Sequence, residues 1–515
     1  MRRRLSYMHL MPAYGLALVV YLIAISWSQP ILDLFGFRQA QTALSAYWLV
    51  RGAPFWSYIT PVTGYPWSIP FEVPVYQLLV AEFAPGTSLI DIDRTGRVLS
   101  VGFFLAACAL VYRVALLWSG DRRTALLCMG ALLASPLMAF WSRAVMIEST
   151  ALCLGIAFVW CLAEYARSPR WGWLVCAVPV ACAGALVKIT TFFGFAFFAA
   201  GAIAIQWMVA GDAAQRRRAA ILAVYGSVAI LLSLLSLKVW LLHADALKAQ
   251  TLWGDSLGSS QLGGWNYGTW PQRLDVGFWR KVALSRSVRD GLGSPWLLPM
   301  ALAIVLAARS TRIPGVLLFI SYLMPFAVFT NLHQVHDYYQ YANMVFATTL
   351  LALAIRNVAD IPRVGSYLGA LFVLLVCVLS WQHTWRRYVP EIASDMRSSR
   401  EMRIASFLKQ ETDPGSVLLV LGLDWDAALP YYAERRAVMM PDWVGVDRFK
   451  ALTASSRPFG GNAVGAVVRC PGATPADPER SSAIDALVER YSRGQQVHSV
   501  ADCQVIVASR EKKHE

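Results

Sequence analysis

Long apolar runs of about 15–22 residues recur along the chain, close to the length that crosses a bilayer. They fall near 11–29, 96–118, 124–141, 148–166, 171–187, 189–210, 219–241, 294–308, 313–330, 342–355 and 366–382. The pattern predicts about eleven helical spans and a mainly α, polytopic helical membrane protein. Between spans the pattern changes. The loop 30–95 is semi-polar, and its amphipathic pieces near 37–52 and 70–84 read as helices lying along a membrane surface. The loop 242–293 is rich in Gly and Trp. Beyond 383, the run Ser416-Val-Leu-Leu-Val-Leu-Gly422 reads as a buried strand, Asp424 to Arg436 as a helix, and Val505-Ile-Val507 as part of a closing strand. The expected organisation is a membrane domain over 1–382, including both long loops, and a small α/β domain over 383–515. No internal repeat is evident, which removes support for an inverted-repeat transporter.

Charge gives the spans a direction. Arg2, Arg3 and Arg4 precede the first span, and arginines recur at 122–123, 167 and 170, 216–218, 309 and 312, and 356 and 363. In an eleven-span topology all of these fall on one side, the cytoplasmic one by the positive-inside rule. The loop 30–95 and the C-terminal domain then face the periplasm of a bacterial inner membrane. The basic N-terminus resembles the start of a signal peptide, but no small-residue cleavage site follows, so the first helix reads as retained. The formal net charge of +14 is accounted for by these loops, and no nucleic-acid module accompanies it. Charged residues make up 15% of the chain, well under the ~25% usual for soluble domains. Of the nine cysteines, seven lie in apolar spans as packing residues. Cys470 and Cys503 lie in the C-terminal domain, where an oxidising compartment would allow a disulfide.

The polar residues with chemistry collect toward the periplasmic side. Asp33-Leu-Phe-Gly-Phe-Arg-Gln-Ala-Gln-Thr-Ala-Leu-Ser45 follows the first span directly. Read as a helix from Phe37, it places Arg38, Gln41, Thr42 and Ser45 on one face. Glu72 stands between Pro70 and Pro74, whose rings restrict the local backbone; a carboxylate held this way suits a general base or a metal ligand, or simply an interfacial turn. Arg143 and Glu148 lie just before the fourth span. There a carboxylate gains from the helix dipole with or without a catalytic role. Its alternatives are to hold a divalent cation or orient a sugar, with Arg143 on a phosphate. Lys188 interrupts two apolar runs at the expected turn of a hairpin, where it would either snorkel or meet a phosphate. His333-Gln-Val-His336-Asp-Tyr338-Tyr339-Gln340 suits hydrogen bonding to phosphate or sugar better than zinc, since no HExxH and no cysteine partner accompany it. There is no P-loop and no GxGxxG at a strand–helix junction, so no nucleotide cofactor is expected.

Phe37-Arg-Gln-Ala-Gln-Thr-Ala43, the segment Trp67 to Pro74, Ser142-Arg-Ala-Val-Met-Ile-Glu148 and His336-Asp-Tyr-Tyr-Gln340 together resemble the GT-C fold membrane glycosyltransferases. The nearest likeness is to the bacterial branch of the lipid A aminoarabinose transferase, related to the protein O-mannosyltransferases. The resemblance implies transfer of a sugar from a polyprenyl-phosphate donor to an envelope glycolipid or polysaccharide acceptor. It implies an inverting displacement at the periplasmic face, assisted by a divalent cation (Mg or Mn) or by cationic side chains. That family carries an acid at the start of its first surface helix, where this chain has Gly36-Phe37-Arg38-Gln39. The catalytic acids implied are therefore Asp33, Glu72 and Glu148, the last at the family's second acidic position and a candidate metal ligand. Donor phosphate or sugar contacts fall to Arg38, Gln39, Gln41, Arg143, Lys188, His333, His336, Tyr338, Tyr339 and Gln340. A transferase or ligase using a polyprenyl-pyrophosphate glycan, a transporter or flippase of lipid-linked sugars, and an envelope assembly protein are the competing classes.

Overall fold

The computed structural model describes residues 6–473, 477–493 and 495–508; Arg2, Arg3 and Arg4 lie outside them. The chain forms two compact units. Unit 1 comprises residues up to Trp27, Arg97–Val239 and Gly263–Ala393; unit 2 comprises Ser28–Gly96, Trp240–Leu262 and the residues from Ser394 onward.

Among the described residues, eight helices are long and apolar enough to cross a membrane, and nine if the bent pair Val276–Leu292 and Leu297–Ala307 is one span. The protein is a multi-pass membrane protein. The helices used below are α1 (Ser6–Ser26), α2 (Gly36–Val50), α3 (Val75–Phe83), α4 (Leu89–Ser119), α5 (Arg122–Leu133), α6 (Pro136–Trp141), α7 (Glu148–Arg167), α8 (Trp171–Val209) and α9 (Ala213–Lys248). The number differs from eleven for physical reasons. The run 124–141 is split by Ser135 and Pro136 into α5 and α6, both shorter than a span. The runs 171–187 and 189–210 form one continuous element that breaks at Lys188, with φ −163° and ψ 95°. The chain folds back there: a methyl on Gly184 would stand 2.9 Å from the ring of Phe192. In a straight helix eight residues separate these positions by ~12 Å, so the two halves must turn toward each other.

Small residues let the unit 1 helices approach closely, as in membrane bundles generally. Gly130 of α5 lies against Pro12 of α1, and Gly155 of α7 against Phe195 of α8. Asp121 caps α5, accepting from the backbone N–H of Arg123 and Thr124 at 3.1 and 3.2 Å.

Unit 2 is built on a five-stranded sheet of order β2-β1-β3-β5-β4. Its strands are β1 (Val417–Leu421), β2 (Arg436–Met440), β3 (Val464–Arg469), β4 (Gln496–Val500) and β5 (Cys503–Val507). The first three pair in parallel, and β5 runs antiparallel to β3 and β4. β1 is buried throughout, which is why its sequence is a continuous apolar run rather than an alternating one. The helix expected over Asp424–Arg436 is confined to Ala428–Ala433, because Glu434 turns into the left-handed region and the apolar Ala437-Val-Met-Met440 continues as β2. The open edge of β2 is covered by the first loop. Ala437 and Met439 donate to the carbonyls of Pro61 and Val62 at 3.0 and 2.8 Å, and Thr63 bridges Val438. Covering an edge strand removes a template for unwanted pairing. The loop also ties in through Asp93, which accepts from Tyr431 Oη at 2.7 Å. Cys470 and Cys503 form a disulfide between the end of β3 and the start of β5.

Candidate functional site

Two acid–cation constellations stand out, one in each unit. In unit 2, α2 begins after Phe35, whose φ of 54° turns the chain into the helix. Arg38, in the first turn, places one guanidinium nitrogen, Nη2, 3.2 Å from each oxygen of Glu72. Its other terminal nitrogen donates to Gln41 Oε1 at 2.6 Å. Gln77 Nε2 donates to Glu72 Oε1 at 2.8 Å. The helix face read from the sequence forms, but Gln41, Thr42 and Ser45 on it are buried. Ser45 shares a 2.7 Å hydrogen bond with Thr60. Asp33 is buried and accepts from Gln39 Nε2 at 2.5 Å. Tyr58 braces the Glu72 segment, donating to the Glu72 carbonyl at 3.1 Å and accepting from Phe71 N–H at 3.0 Å. Burial, then the nearby Glu72 charge, pushes its phenol well above the usual range.

One member of this cluster was not legible as a candidate in the sequence. Lys248, at the C-terminal end of α9, is 2% exposed. Its ammonium lies 4.5 Å above the Phe71 ring and 3.5 Å from Asp245. The available signal was a lone lysine closing a long apolar helix, in a loop read only for its glycines and tryptophans.

In unit 1, Glu148 is the first residue of α7 and is 3% exposed. Lys188, at the break in α8, reaches its Oε1 at 2.5 Å. The lysine also lies 4.0 Å from the Tyr339 ring centroid and 5.2 Å from that of Tyr338. The second oxygen of Glu148, Oε2, is buried and has no hydrogen-bond partner among the described residues. Next to it in sequence, Ser149 shares a 3.0 Å hydrogen bond with Tyr341 Oη. Arg143 is buried with its guanidinium 4.4 Å above Phe140. His336 packs beside Tyr338 and Tyr339.

His333 behaves differently from its neighbour. Its ring lies 4.4 Å from that of Phe326 and is 2% exposed. Burial, then the charges of Lys188 and Arg286, pushes its imidazole down to about 3. It is therefore neutral at physiological pH and brings no positive charge to a phosphate. Its backbone carbonyl accepts from Arg286 at 2.6 Å and from Gln340 at 3.3 Å.

A resident metal finds no ready ligand set. Among the described residues no three His, Cys, Asp or Glu side chains are placed to hold one. Glu72 and Glu148 each already carry a basic side chain.

No protein-family model and no curated protein sequence matches the chain. Solved structures do. ArnT from Cupriavidus metallidurans bound to undecaprenyl phosphate superposes with a TM-score of 0.63 at 13% identity, over 98% of this chain and 99% of that one. The Archaeoglobus fulgidus oligosaccharyltransferase, in complex with zinc and sulfate, gives 0.57 at 13% identity over 88% of this chain and 67% of that one. AglB from the same organism, with an inhibitory peptide and a dolichol-phosphate, gives 0.56 at 11% identity over 98% and 74%. At such identities the likeness concerns architecture. This chain has the fold of the GT-C membrane glycosyltransferases.

Proposed function

We propose that this protein is a membrane glycosyltransferase that transfers a sugar from a polyprenyl-phosphate donor to an envelope glycolipid or polysaccharide. The observation that carries the reading is the Arg38 guanidinium, whose Nη2 is shared by the two oxygens of Glu72 while Nη1 meets Gln41. A guanidinium binds carboxylate and phosphate oxygens alike. When the donor phosphate takes Arg38, Glu72 is released as a base. The acceptor hydroxyl oxygen then attacks the anomeric carbon and its proton passes to Glu72. The bond from that carbon to the phosphate oxygen breaks with inversion, and its electron pair leaves with the lipid phosphate. Arg38 and Lys248 meet the charge that develops there. Gln39 and Gln41 orient the donor, and Asp33 holds Gln39 in place. In unit 1, Glu148 holds Lys188 at the break of α8.

The proposed setting is a bacterial inner membrane with the N-terminus cytoplasmic and unit 2 periplasmic. The one-sided arginine loops and the Cys470–Cys503 disulfide support it. The fold shared with ArnT, which binds undecaprenyl phosphate, supports the donor class. A flippase reading draws on the break of α8 at Lys188. One assay separates the two. Purified protein is incubated with a panel of synthetic undecaprenyl-phosphate sugars and envelope-glycan acceptors, and free undecaprenyl phosphate is quantified. Release that falls away in Glu72→Gln supports transfer. Translocation of intact donor across vesicles, without release, would replace it.

A further inference from the structure

Unit 1 also holds a cavity of about 610 Å³, inside the range of roughly 300–1,000 Å³ typical of small-molecule sites. Its walls are apolar. Ala163 and Ala166 of α7 and Ala199 and Ala202 of α8 keep them apart. From Arg167 to Ile156 the cavity follows α7 for about 16 Å, and from Arg309 to Leu318 it follows the helix Arg309–Val328 for about 14 Å. Both lengths are close to half of a hydrocarbon core of about 30 Å. The deep end is closed by aromatic rings: Phe346 lies 5.4 Å from Phe195 and 5.5 Å from Phe198. The other end is flanked by Arg167 and Arg309, both exposed and neither in an ion pair among the described residues. Arg167 ends α7, where the helix dipole favours a cation. Arg309 begins its helix, where the dipole opposes one. Both arginines follow the one-sided charge bias of the loops, and at the mouth of an apolar cavity they offer two cations to an anionic headgroup.

We infer that this cavity is a site for one leaflet lipid, an anionic glycerophospholipid whose acyl chain fills the pocket while its phosphate meets Arg167 and Arg309. The depth matches a single leaflet, and a polyprenyl chain is far longer. The site is separate from Glu148 and Lys188, neither of which lines it, and it stands whether or not the chain transfers sugars.

Native mass spectrometry of the full-length protein in detergent tests it, with dioleoylphosphatidylglycerol and dioleoylphosphatidylcholine titrated separately. Two arginines near a headgroup predict roughly thirtyfold tighter retention of the phosphatidylglycerol. Arg167→Ala with Arg309→Ala should bring the two lipids to parity. Ala163→Leu with Ala202→Leu should remove both from the site while the melting temperature stays within a few degrees of wild type. Arg309→Gln alone, expected to lose about fivefold, serves if either double variant fails to fold. Equal retention of the two lipids by the wild type would overturn the inference. So would retention indifferent to these substitutions, or displacement of bound phosphatidylglycerol by equimolar undecaprenyl phosphate.

Discussion

Glu72 and Glu148 are both carboxylates held by a basic side chain, yet the two pairs are built differently. Glu72 in unit 2 is satisfied on both oxygens by Arg38 and again by Gln77. Glu148 in unit 1 has one close contact, to Lys188, and an oxygen with no hydrogen-bond partner among the described residues. The Arg38–Glu72 side chains retain 19% and 9% exposure, the Lys188–Glu148 pair 9% and 4%. In the first pair one guanidinium nitrogen is shared by both carboxylate oxygens, a contact that another oxyanion can take over. The second is a deeply buried point-charge contact whose loss leaves a carboxylate stranded in an apolar bundle. One is arranged for exchange, the other for holding a bend in the chain.

The sharpest way to break this contrast is by activity. Glu72→Gln removes the proposed base and should lower turnover by about 10²–10⁴-fold with the unfolding temperature nearly unchanged. An equal loss of folded protein would make Glu72 structural. Lys188→Met should do the reverse. Stranding Glu148 costs about 3–5 kcal/mol, read as a lower unfolding midpoint, and Glu148→Gln in the same chain should recover most of it. No recovery in the double variant would mean that the pair is not the source. Arg38→Lys keeps the charge but loses the second nitrogen, which holds Gln41. It should raise the donor concentration for half-maximal rate about tenfold and change the rate at saturation less.

The smallest effect is one of pH, and it runs in opposite directions in the two units. His333 in unit 1 is held at about 3, below its usual 6.5, by burial and then by Lys188 and Arg286. The unfolded chain binds this proton more readily, so unit 1 loses stability as pH falls from 6.5 toward 3. Asp426 in unit 2 is raised from 3.8 to about 6, mainly by burial. The folded form binds that proton more readily, so unit 2 loses stability as pH rises from 3.8 to about 6. Hydrogen exchange at pH 4.5 and 7 should show the His333 contribution favouring protection at the higher pH and the Asp426 contribution at the lower, each read as wild type against variant. Asp426→Asn should abolish the unit 2 trend, and His333→Gln the trend in unit 1. Parallel trends in both units would show that other groups dominate.

Some of this architecture was legible in the chain and some was not. The apolar runs located the helices, because a segment without charges over a bilayer's length has few other stable places. The single lysine between two such runs marked the turn at 188. The three-to-four-residue spacing of Arg38, Gln41, Thr42 and Ser45 fixed a common face for them. The count of spans came out differently because Ser135-Pro136 interrupts one apolar run and two others meet at Lys188 without an intervening loop. His333 and His336 look equivalent in sequence, but a neighbouring Phe326 made one a neutral packing ring. Lys248 drew no attention because its partners Phe71 and Asp245 are brought to it only by folding.

What the sequence alone determined is local: which segments are apolar enough to be spans, where they turn, and which polar side chains share a helix face. Those follow from periodicity and from the cost of burying charge. What only the tertiary structure decided is partnership. Arg38 meets Glu72 across 34 positions, Lys188 meets Glu148 across 40, and Pro61 to Thr63 close the edge of a strand formed near the other end of the chain. Pairings of that separation leave no periodic trace. They exist because a buried charge or an open strand edge must be satisfied by whatever the fold brings beside it.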